Sequence, residues 1–410
     1  NQSESRVIPA IYSTKELYPA TATSWFNEIT PQSENYRAGG SMNWILPKYG
    51  FLQQILLSFK KSFKAAAAPT DDATIGIATG DGYRIIDRIE MLSSSRIIST
   101  LYAQDLLALH SNLKEDQLFP INETFISKGT EGAKLSDTVE QTFVLPIVFG
   151  FNNDINTTQN LSFNEPTSLR VVWGNPNLAY TNSGADPAVY TVSAGVGTLS
   201  EATLMLRYQL YNEADQALIL SENYSEPQLN MLTTRQFREN PKNFAHPTAG
   251  AFTEDNIQLR NVDVINAFYI MVQPPPIPTG GTNEFGPTQN RLCEIDEITL
   301  TASGQEICKI NFAQNYYSKL TENGYASTGV RASGAMALER IYKIQTGMWE
   351  NSGGGTWSNG WSARELNNLT LTVKGRSGVL GTHTIIVCET TSTILSCNSQ
   401  TGRIVNSLVN

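Results

Sequence analysis

The chain has 410 residues, a formal net charge of −9 and only 16% charged residues. With 40% hydrophobic residues and 30 glycines it falls in the ordinary globular range, which excludes a disordered, collagenous or disulfide-dense protein. Because 38 acidic residues outnumber 29 basic ones, the overall charge also argues against direct binding to a nucleic-acid backbone.

The length predicts two or three domains, each able to bury its own core. The longest mainly apolar runs, residues 143–149 and 264–272, are far shorter than the ~20 residues that a membrane-spanning helix needs. The first residues, Asn1 to Glu4, begin a polar stretch without the apolar core of a signal peptide, so we expect none.

Local composition is typical of a β protein. Short runs of β-branched and aromatic residues alternate with loops rich in Gly, Pro, Asn and Ser. Several runs alternate as a half-buried strand does, for example Leu204, Leu206, Tyr208 and Leu210. The predicted strands include residues 51–63, 85–92, 141–151, 167–173, 202–210, 257–260, 264–273, 292–301, 366–374 and 383–391.

Two short helices are predicted, each directly after a pair of strands. Apolar residues recur at intervals of three and four positions, as on one face of a helix. The apolar stripes are Tyr102, Leu106, Leu109 and Leu113 in the first helix and Phe312, Tyr316 and Leu320, beside Tyr317, in the second.

The two halves of the chain resemble each other. Matching helices follow matching strands, so we interpret the pattern as an internal duplication, with chance similarity of two unrelated units as the alternative. One inserted residue then brings residues 102–104 onto 312–314. A shift of 209 positions aligns Ile86, Asp87, Ile89, Ser94 and Ile98 with Ile295, Asp296, Ile298, Ser303 and Ile307.

Each half offers about eight strands, the number in a jelly roll, whose two sheets bury one shared core. The sequence therefore predicts an all-β fold of two tandem eight-stranded jelly rolls, each with a short helix, plus an N-terminal arm. The predicted boundaries are 1–40 for the arm, 41–225 for the first jelly roll and 226–410 for the second. A long loop at 175–201 lies within the first jelly roll.

Catalytic signatures are missing from the sequence. The three histidines, His110, His246 and His383, are scattered and form no familiar metal-binding motif. The sequence also lacks the nucleophile elbow and the phosphate-binding loops of known enzymes. We therefore predict no catalytic, cofactor-binding or metal-binding residues, no cofactor, and no enzymatic activity.

Trp349, Trp357 and Trp361 surround a glycine-rich loop. Exposed aromatic rings there are candidate surface contacts for sugars, because flat apolar rings stack on sugar faces. The alternative, which we favour, is that they anchor the loop to its own domain or to a neighbouring subunit. We interpret the four cysteines as packed thiols rather than as a disulfide framework. They are Cys293, Cys308, Cys388 and Cys397.

The arm at residues 1–40 has three basic and four acidic residues, a net charge of −1. Such an arm cannot neutralise a nucleic acid, and it suits a tether to a neighbouring subunit or an underlying layer better.

In the order of these elements the chain resembles the double jelly-roll major capsid proteins of tailless membrane-containing bacteriophages, adenoviruses (the hexon) and large eukaryotic DNA viruses. The resemblance covers about residues 41–410 and rests on pattern and order. It is carried by residues 50–63, 85–113, 144–147, 152–161, 169–173 and 175–212.

The resemblance implies a structural protein of the virion, assembled inside the host cell. Its copies would form pseudo-hexagonal homotrimeric capsomers of an icosahedral capsid shell. The implied partners are other copies of the chain, neighbouring trimers, and minor capsid and penton proteins, with an internal membrane reached through the arm. Residues 175–201 are expected to point outward. Direct nucleic-acid binding is not expected.

Three other readings compete with this one. A single jelly-roll capsid protein with a projecting domain explains the β content but not the repeat. A carbohydrate-binding β-sandwich protein explains the tryptophans but usually carries a signal peptide or disulfides. A hydrolase on a β-sandwich fits least well.

Overall fold

The computed structural model describes most strands of the chain and the segments between many of them. The residues described are 23–47, 51–65, 74–77, 85–110, 133–134, 139–147, 149, 159–160, 166–174, 180–182, 195–210, 228–260, 264–275, 292–315, 317, 340–346, 348–350, 356–358, 360–362, 366, 368–398 and 404–407.

The strands up to residue 210 form what we call the first unit. Two four-stranded antiparallel paths dominate it, β1-β12-β3-β8 and β2-β10-β5-β6, and a small sheet β11-β4-β7 and strand β9, paired to β3, are added to them. Its elements are β1 (Thr23–Ile29), β2 (Ser41–Ile45), β3 (Phe51–Ala65), β4 (Thr74–Ile77), β5 (Ile86–Ser93), β6 (Arg96–Tyr102), α1 (Ala103–His110), β7 (Ala133–Lys134), β8 (Val139–Ile147), β9 (Gln159–Asn160), β10 (Thr167–Trp173), β11 (Tyr180–Asn182) and β12 (Gly195–Leu210).

The strands from residue 228 onward form the second unit. Its main paths are β13-β24-β16-β19 and β15-β23-β17-β18, with β14 and β25 paired to β24, β22 paired to β16, and a separate β20–β21 hairpin. Its elements are β13 (Gln228–Arg238), β14 (Lys242–His246), β15 (Gly250–Gln258), β16 (Val264–Gln273), β17 (Glu294–Ala302), β18 (Gln305–Asn311), β19 (Tyr342–Gln345), β20 (Met348–Glu350), β21 (Thr356–Ser358), β22 (Trp361–Ser362), β23 (Leu369–Ser377), β24 (Gly381–Asn398) and β25 (Ile404–Ser407).

The two units have the same topology. If the eight strands of the main paths are numbered along the chain, one sheet of each unit has the order 1-8-3-6 and the other 2-7-4-5. This order is that of a jelly roll. The prediction of two tandem eight-stranded jelly rolls is therefore confirmed.

Alternating side chains build the core of the first unit. Along β3 the buried residues Ile55, Leu57 and Phe59 alternate with half-buried ones, as expected for a strand with one face on a core. The ring of Phe59 stacks on Phe143 at 5.2 Å and meets the edge of Trp173 at 5.3 Å. Burial of these large rings supplies the main driving force for closing the two sheets on each other.

The repeat is maintained residue by residue through the second hairpin. On β5–β6 Arg88 lies opposite Tyr102, and on β17–β18 Glu297 lies opposite Asn311, both pairs being 209 residues apart. The turns also match, since Ser94 and Ser303 both adopt the left-handed conformation, with φ of 54° and 51°.

The sequence predicted one inserted residue before the second helix, and this prediction is wrong. Asp105 accepts a hydrogen bond from the Tyr102 amide, and Gln314 accepts one from the Asn311 amide, so both helical turns begin at the same position of the repeat. The offset remains 209 at these positions, because backbone capping sets the start of the helix and not the aromatic type of the first residue.

Other element boundaries also differ from the prediction. The first strand does not follow residue 40: β1 lies inside the predicted arm and pairs with β12. The predicted loop 175–201 contains β11 and the beginning of β12. In the second helix the described part is one turn at residues 312–315, with 317 also helical; Tyr316 and Leu320 lie outside the described residues.

Helix is scarce in the described ranges. The longest described helix is α1, with eight residues. None of the helices found among the described residues has the length and apolar character needed to cross a membrane.

A close approach of strands at Gly375 gives a test of the second unit's packing. A Cβ added to Gly375 would lie 2.6 Å from Cζ of Phe252 and even closer to the backbone oxygen of Glu294. We expect Gly375→Ala to lower the free energy of unfolding by about 2 kcal/mol, because the backbone oxygen cannot move aside without displacing β17. Urea unfolding of the full chain measures this.

The matched control is Gly378→Ala. A Cβ at Gly378 meets nothing within 4 Å, so this change should leave stability unchanged or raise it slightly by restricting the unfolded chain. Equal losses in the two variants would contradict the close approach.

Candidate functional site

The side chains that carry most enzyme chemistry do not gather into a centre in the described part of the chain. No group of three or more His, Cys, Asp or Glu residues that could hold a metal ion was found there. Cys293, Cys308 and Cys388 are free thiols. His246 and His383 are buried together in the second unit, which the sequence did not predict.

The three predicted surface tryptophans fall on three short strands. Trp349 on β20 lies opposite Trp357 on β21. Trp361 on β22 is half-buried and packs against the core of the second unit, which agrees with an anchoring role for this residue. Sugar contact by these tryptophans stays a prediction.

The two units of the molecule contact each other in a junction. α1 lies against β24 and β13 of the second unit, and β6 lies against β13 and β25. Leu106 and Ala108 of α1 are buried in one apolar cluster with Tyr269, Met271 and Cys388. α1 therefore joins the core of the first unit to the outer face of the β16–β24 sheet of the second unit.

This contact leaves β16 buried on both faces. Phe268, Ile270 and Val272 point into the core of the second unit. Tyr269 and Met271, which alternate with them, belong to the cluster that includes α1 and the first unit's core. A strand of this kind reads as a continuous apolar run, and β16 is buried at every position from 265 to 272.

Asp105 at the beginning of α1 is the charged group most deeply buried in the junction. Its Oδ2 accepts a hydrogen bond of 2.8 Å from the Tyr102 amide, and the guanidinium of Arg238 lies 4.2 Å from the centre of the Tyr102 ring. Burial raises the pKa of Asp105 to about 6, although the Tyr102 amide, the thiol of Cys388 and the charge of Arg238 favour the ionised form.

The raised pKa makes the junction sensitive to pH. The folded state binds the Asp105 proton more tightly than the unfolded state does. The contribution of protonated Asp105 to stability is therefore complete below the ordinary pKa of 3.8 and is lost as the pH rises through 6. A difference of about 2 pKa units corresponds to a loss on the order of 3 kcal/mol at neutral pH.

We expect Asp105→Asn to raise the free energy of unfolding at pH 8 by about 2 kcal/mol. The amide stays neutral and its oxygen still accepts the Tyr102 hydrogen bond, while the attraction to Arg238 is given up. The gain should shrink toward pH 4, where Asp105 itself is protonated. Urea unfolding at pH 4, 6 and 8 measures it, with exposed Asp87→Asn as the control; a gain that does not change with pH would contradict the assignment.

The repeat places a second surface of the same kind on the second unit. Ile98, Ala103 and Ala108 pack in or against the junction cluster, and 209 residues later stand Ile307, Phe312 and Tyr317. These three are exposed, at 38%, 48% and 67%. The second unit therefore exposes larger apolar residues at the positions that correspond to this packed surface of the first unit. We call Ile307, Phe312 and Tyr317 the donor patch.

The complementary face is uncovered on the first unit. On β3, Leu56 points away from the core opposite Met205 on β12, as Tyr269 lies opposite Cys388 in the second unit. Leu56 and Met205 are only half-buried, whereas Tyr269 and Cys388 are fully buried beneath α1. We call this outer face of β3 and β12 the acceptor face.

Both surfaces are more exposed than their repeat equivalents, which are partly or fully buried within the chain. Sequence reasoning missed both, although the alignment of Ile98 with Ile307 was the signal that could have pointed to them.

Comparison with known sequences gives no relative. The chain matches no protein-family model, and no curated protein sequence matches it.

Comparison with solved structures does give neighbours. The chain of the PBCV-1 virus capsid is 10% identical, covers 96% of this chain and 98% of its own, and has a TM-score of 0.65. The Faustovirus major capsid protein is 8% identical over 92% and 91%, with a TM-score of 0.64. The mavirus major capsid protein is 11% identical over 93% and 90%, with a TM-score of 0.58. This chain therefore shares the double jelly-roll fold of viral major capsid proteins.

Proposed function

We propose that the chain is a major capsid protein whose copies form homotrimeric, pseudo-hexagonal capsomers of an icosahedral shell. The observation that carries the proposal is the exposed donor patch, which repeats a surface that is buried inside the chain. The structural neighbours support a capsid role, and with it a location in the virion.

The contact between copies follows from the contact within each copy. Inside the chain, α1 of the first unit lies against β24 and β13 of the second, and β6 lies against β13 and β25. In the assembly, the donor patch of the second unit covers the acceptor face of the first unit of the next copy. Such a head-to-tail contact generates a closed ring when the rotation between successive copies leads back to the first copy. A ring of three copies places six jelly rolls around one axis.

The composition suits wide contacts between identical copies. Only 16% of residues are charged, which limits repulsion between like surfaces. Aromatic residues such as Phe312 and Tyr317 supply the large apolar area that the centres of interfaces need. The acceptor face offers the aliphatic Leu56 and Met205 beside polar neighbours, as expected for a surface that is also exposed to water before assembly.

The proposal also covers the N-terminal arm, the loop at 175–201 and the other partners in the capsid. Residues 1–40 would contact neighbouring trimers, minor capsid and penton proteins or an internal membrane. Because residues 23–29 are held in β1, the part proposed to reach outward from the unit is residues 1–22. Residues 175–201 would face the outside of the shell, and no enzymatic activity is needed for this role.

We expect Phe312→Glu and Tyr317→Glu each to convert trimers into single chains. A carboxylate on the donor patch would have to lose its water against an apolar face, which should raise the dissociation constant at least about 100-fold. Light scattering on a sizing column measures the change, from three times 45.1 kDa to 45.1 kDa at micromolar concentration.

The control is Leu380→Glu. Leu380 is 56% exposed, comparable with Phe312, but belongs to the turn between β23 and β24 and not to the donor patch. This variant should remain trimeric. A wild-type chain that is a clean monomer would overturn the proposal, and trimers that survive both donor-patch variants would overturn the interface.

A further inference from the structure

Two of the chain's three histidines pack against each other at one end of the second unit. His246 on β14 and His383 on β24 are buried, with ring centres 5.0 Å apart and ring planes at 73°. Phe244 and Phe252 enclose them, at 5.4 Å from His383 and 5.8 Å from His246 respectively. Two titratable rings thus share an aromatic pocket.

The two histidines also join the two sheets of the unit. β14 and β24 belong to one sheet, while Ser377 ends β23 in the other. His246 Nε2 lies 3.2 Å from the backbone oxygen of Ser377, and His383 Nε2 lies 2.8 Å from its hydroxyl. Both rings therefore bind the same residue across the gap between the sheets.

The hydrogen bonds define where the protons are. His246 Nε2 donates to a carbonyl oxygen, and His383 Nδ1, 3.1 Å from the carbonyl oxygen of Gly381, must also donate. In its neutral form His383 therefore accepts at Nε2 from the Ser377 hydroxyl. When His383 gains a proton at Nε2, that hydroxyl must turn away, toward the carbonyl oxygen of Val379 at 3.3 Å.

Among the described residues, no carboxylate is hydrogen-bonded to either ring, since their partners are backbone oxygens and a hydroxyl. Burial and the neighbouring His246 both lower the pKa of His383. The thiol of Cys293 interacts with the Ser377 hydroxyl. The charged groups on and beside the surrounding strands include three ion pairs, Arg376 with Asp296, Arg340 with Glu294 and Lys374 with Glu297, together with Lys242, Glu254, Asp255 and Glu389.

We propose that the His246–His383 pair is an acid-released latch that holds the two sheets of the second unit together at the end formed by the β14–β15 and β23–β24 turns. When His383 is charged, its positive charge lies in an aromatic pocket, with the His246 ring 5.0 Å away and no hydrogen-bonded carboxylate among the described residues. Separating the sheets at this end restores water to both rings. The latch belongs to the second unit itself and does not depend on the proposed assembly.

The direction of the pH effect follows from the proton balance. A histidine whose pKa is lowered by folding binds fewer protons in the folded state than in the unfolded state. The latch is therefore fully closed above the ordinary histidine pKa of about 6.5 and weakens as the pH falls below it. This direction is opposite to that of Asp105, which stabilises the junction as the pH falls.

Hydrogen–deuterium exchange of the full chain at pH 7.5 and pH 5.0 tests the latch. After correction for the intrinsic pH dependence of exchange, we expect residues 242–258 and 375–389 to exchange about tenfold faster at pH 5.0 for each pKa unit of depression. The β5–β6 hairpin of the first unit, which has no histidine, should not change.

Two variants make the test specific. His383→Gln, which can still bond Ser377, should abolish most of the acid response, whereas His246→Phe, which leaves His383 buried, should only reduce it. His110→Gln should retain the full response. Equal exchange of these segments at both pH values in the wild-type chain, or an acid response undiminished in both variants, would overturn the proposal.

Discussion

The rest of the structure depends on one constraint, that β16 is buried on both of its faces. Phe268 and Ile270 require the core of the second unit, and Tyr269 and Met271 require a cover on the other side. Leaving either face in water would forfeit the burial of several large side chains, each contributing about 1.5–3 kcal/mol. The first unit provides this cover, since Tyr269 and Met271 lie in one apolar cluster with its core and with α1. The two jelly rolls therefore share a buried junction.

The same constraint explains why the units differ although their topology is shared. The outer face of β3 carries Ser58 and Lys60 beside Leu56, a mixture that water tolerates. The corresponding face of β16 carries Ala267, Tyr269 and Met271, all fully buried. A duplicated unit that has acquired a permanent cover can become fully apolar there, whereas its counterpart must remain soluble until another chain arrives. The fully buried face of β16 thus corresponds to the contact within the chain, and the half-buried face of β3 corresponds to the proposed contact between copies.

Sequence alone predicted the topology well and the surfaces poorly. β10 and β16 were predicted with the bounds that the structure has, because each is an apolar run closed by turn residues at both ends. β1 was missed because its polar residues, such as Asn27 and Glu28, resemble a loop. The junction could not be predicted, since nothing in the sequence of α1 distinguishes a helix that covers its own neighbour from one that covers another chain. Phe312, which the sequence placed on the apolar stripe of the second helix, is exposed.

The difference in size between Ala103 and Phe312 has a consequence for how copies can combine. In the proposed assembly, the donor patch of one copy binds the acceptor face of a different copy, since Ala103 already packs against the apolar cluster within its own chain. Each molecule then offers one donor patch and one acceptor face, a valence of two. Molecules with a valence of two join into rings or linear chains and do not branch. Through this single pair of surfaces, an excess of protein would lengthen or close such assemblies without cross-linking them into a network.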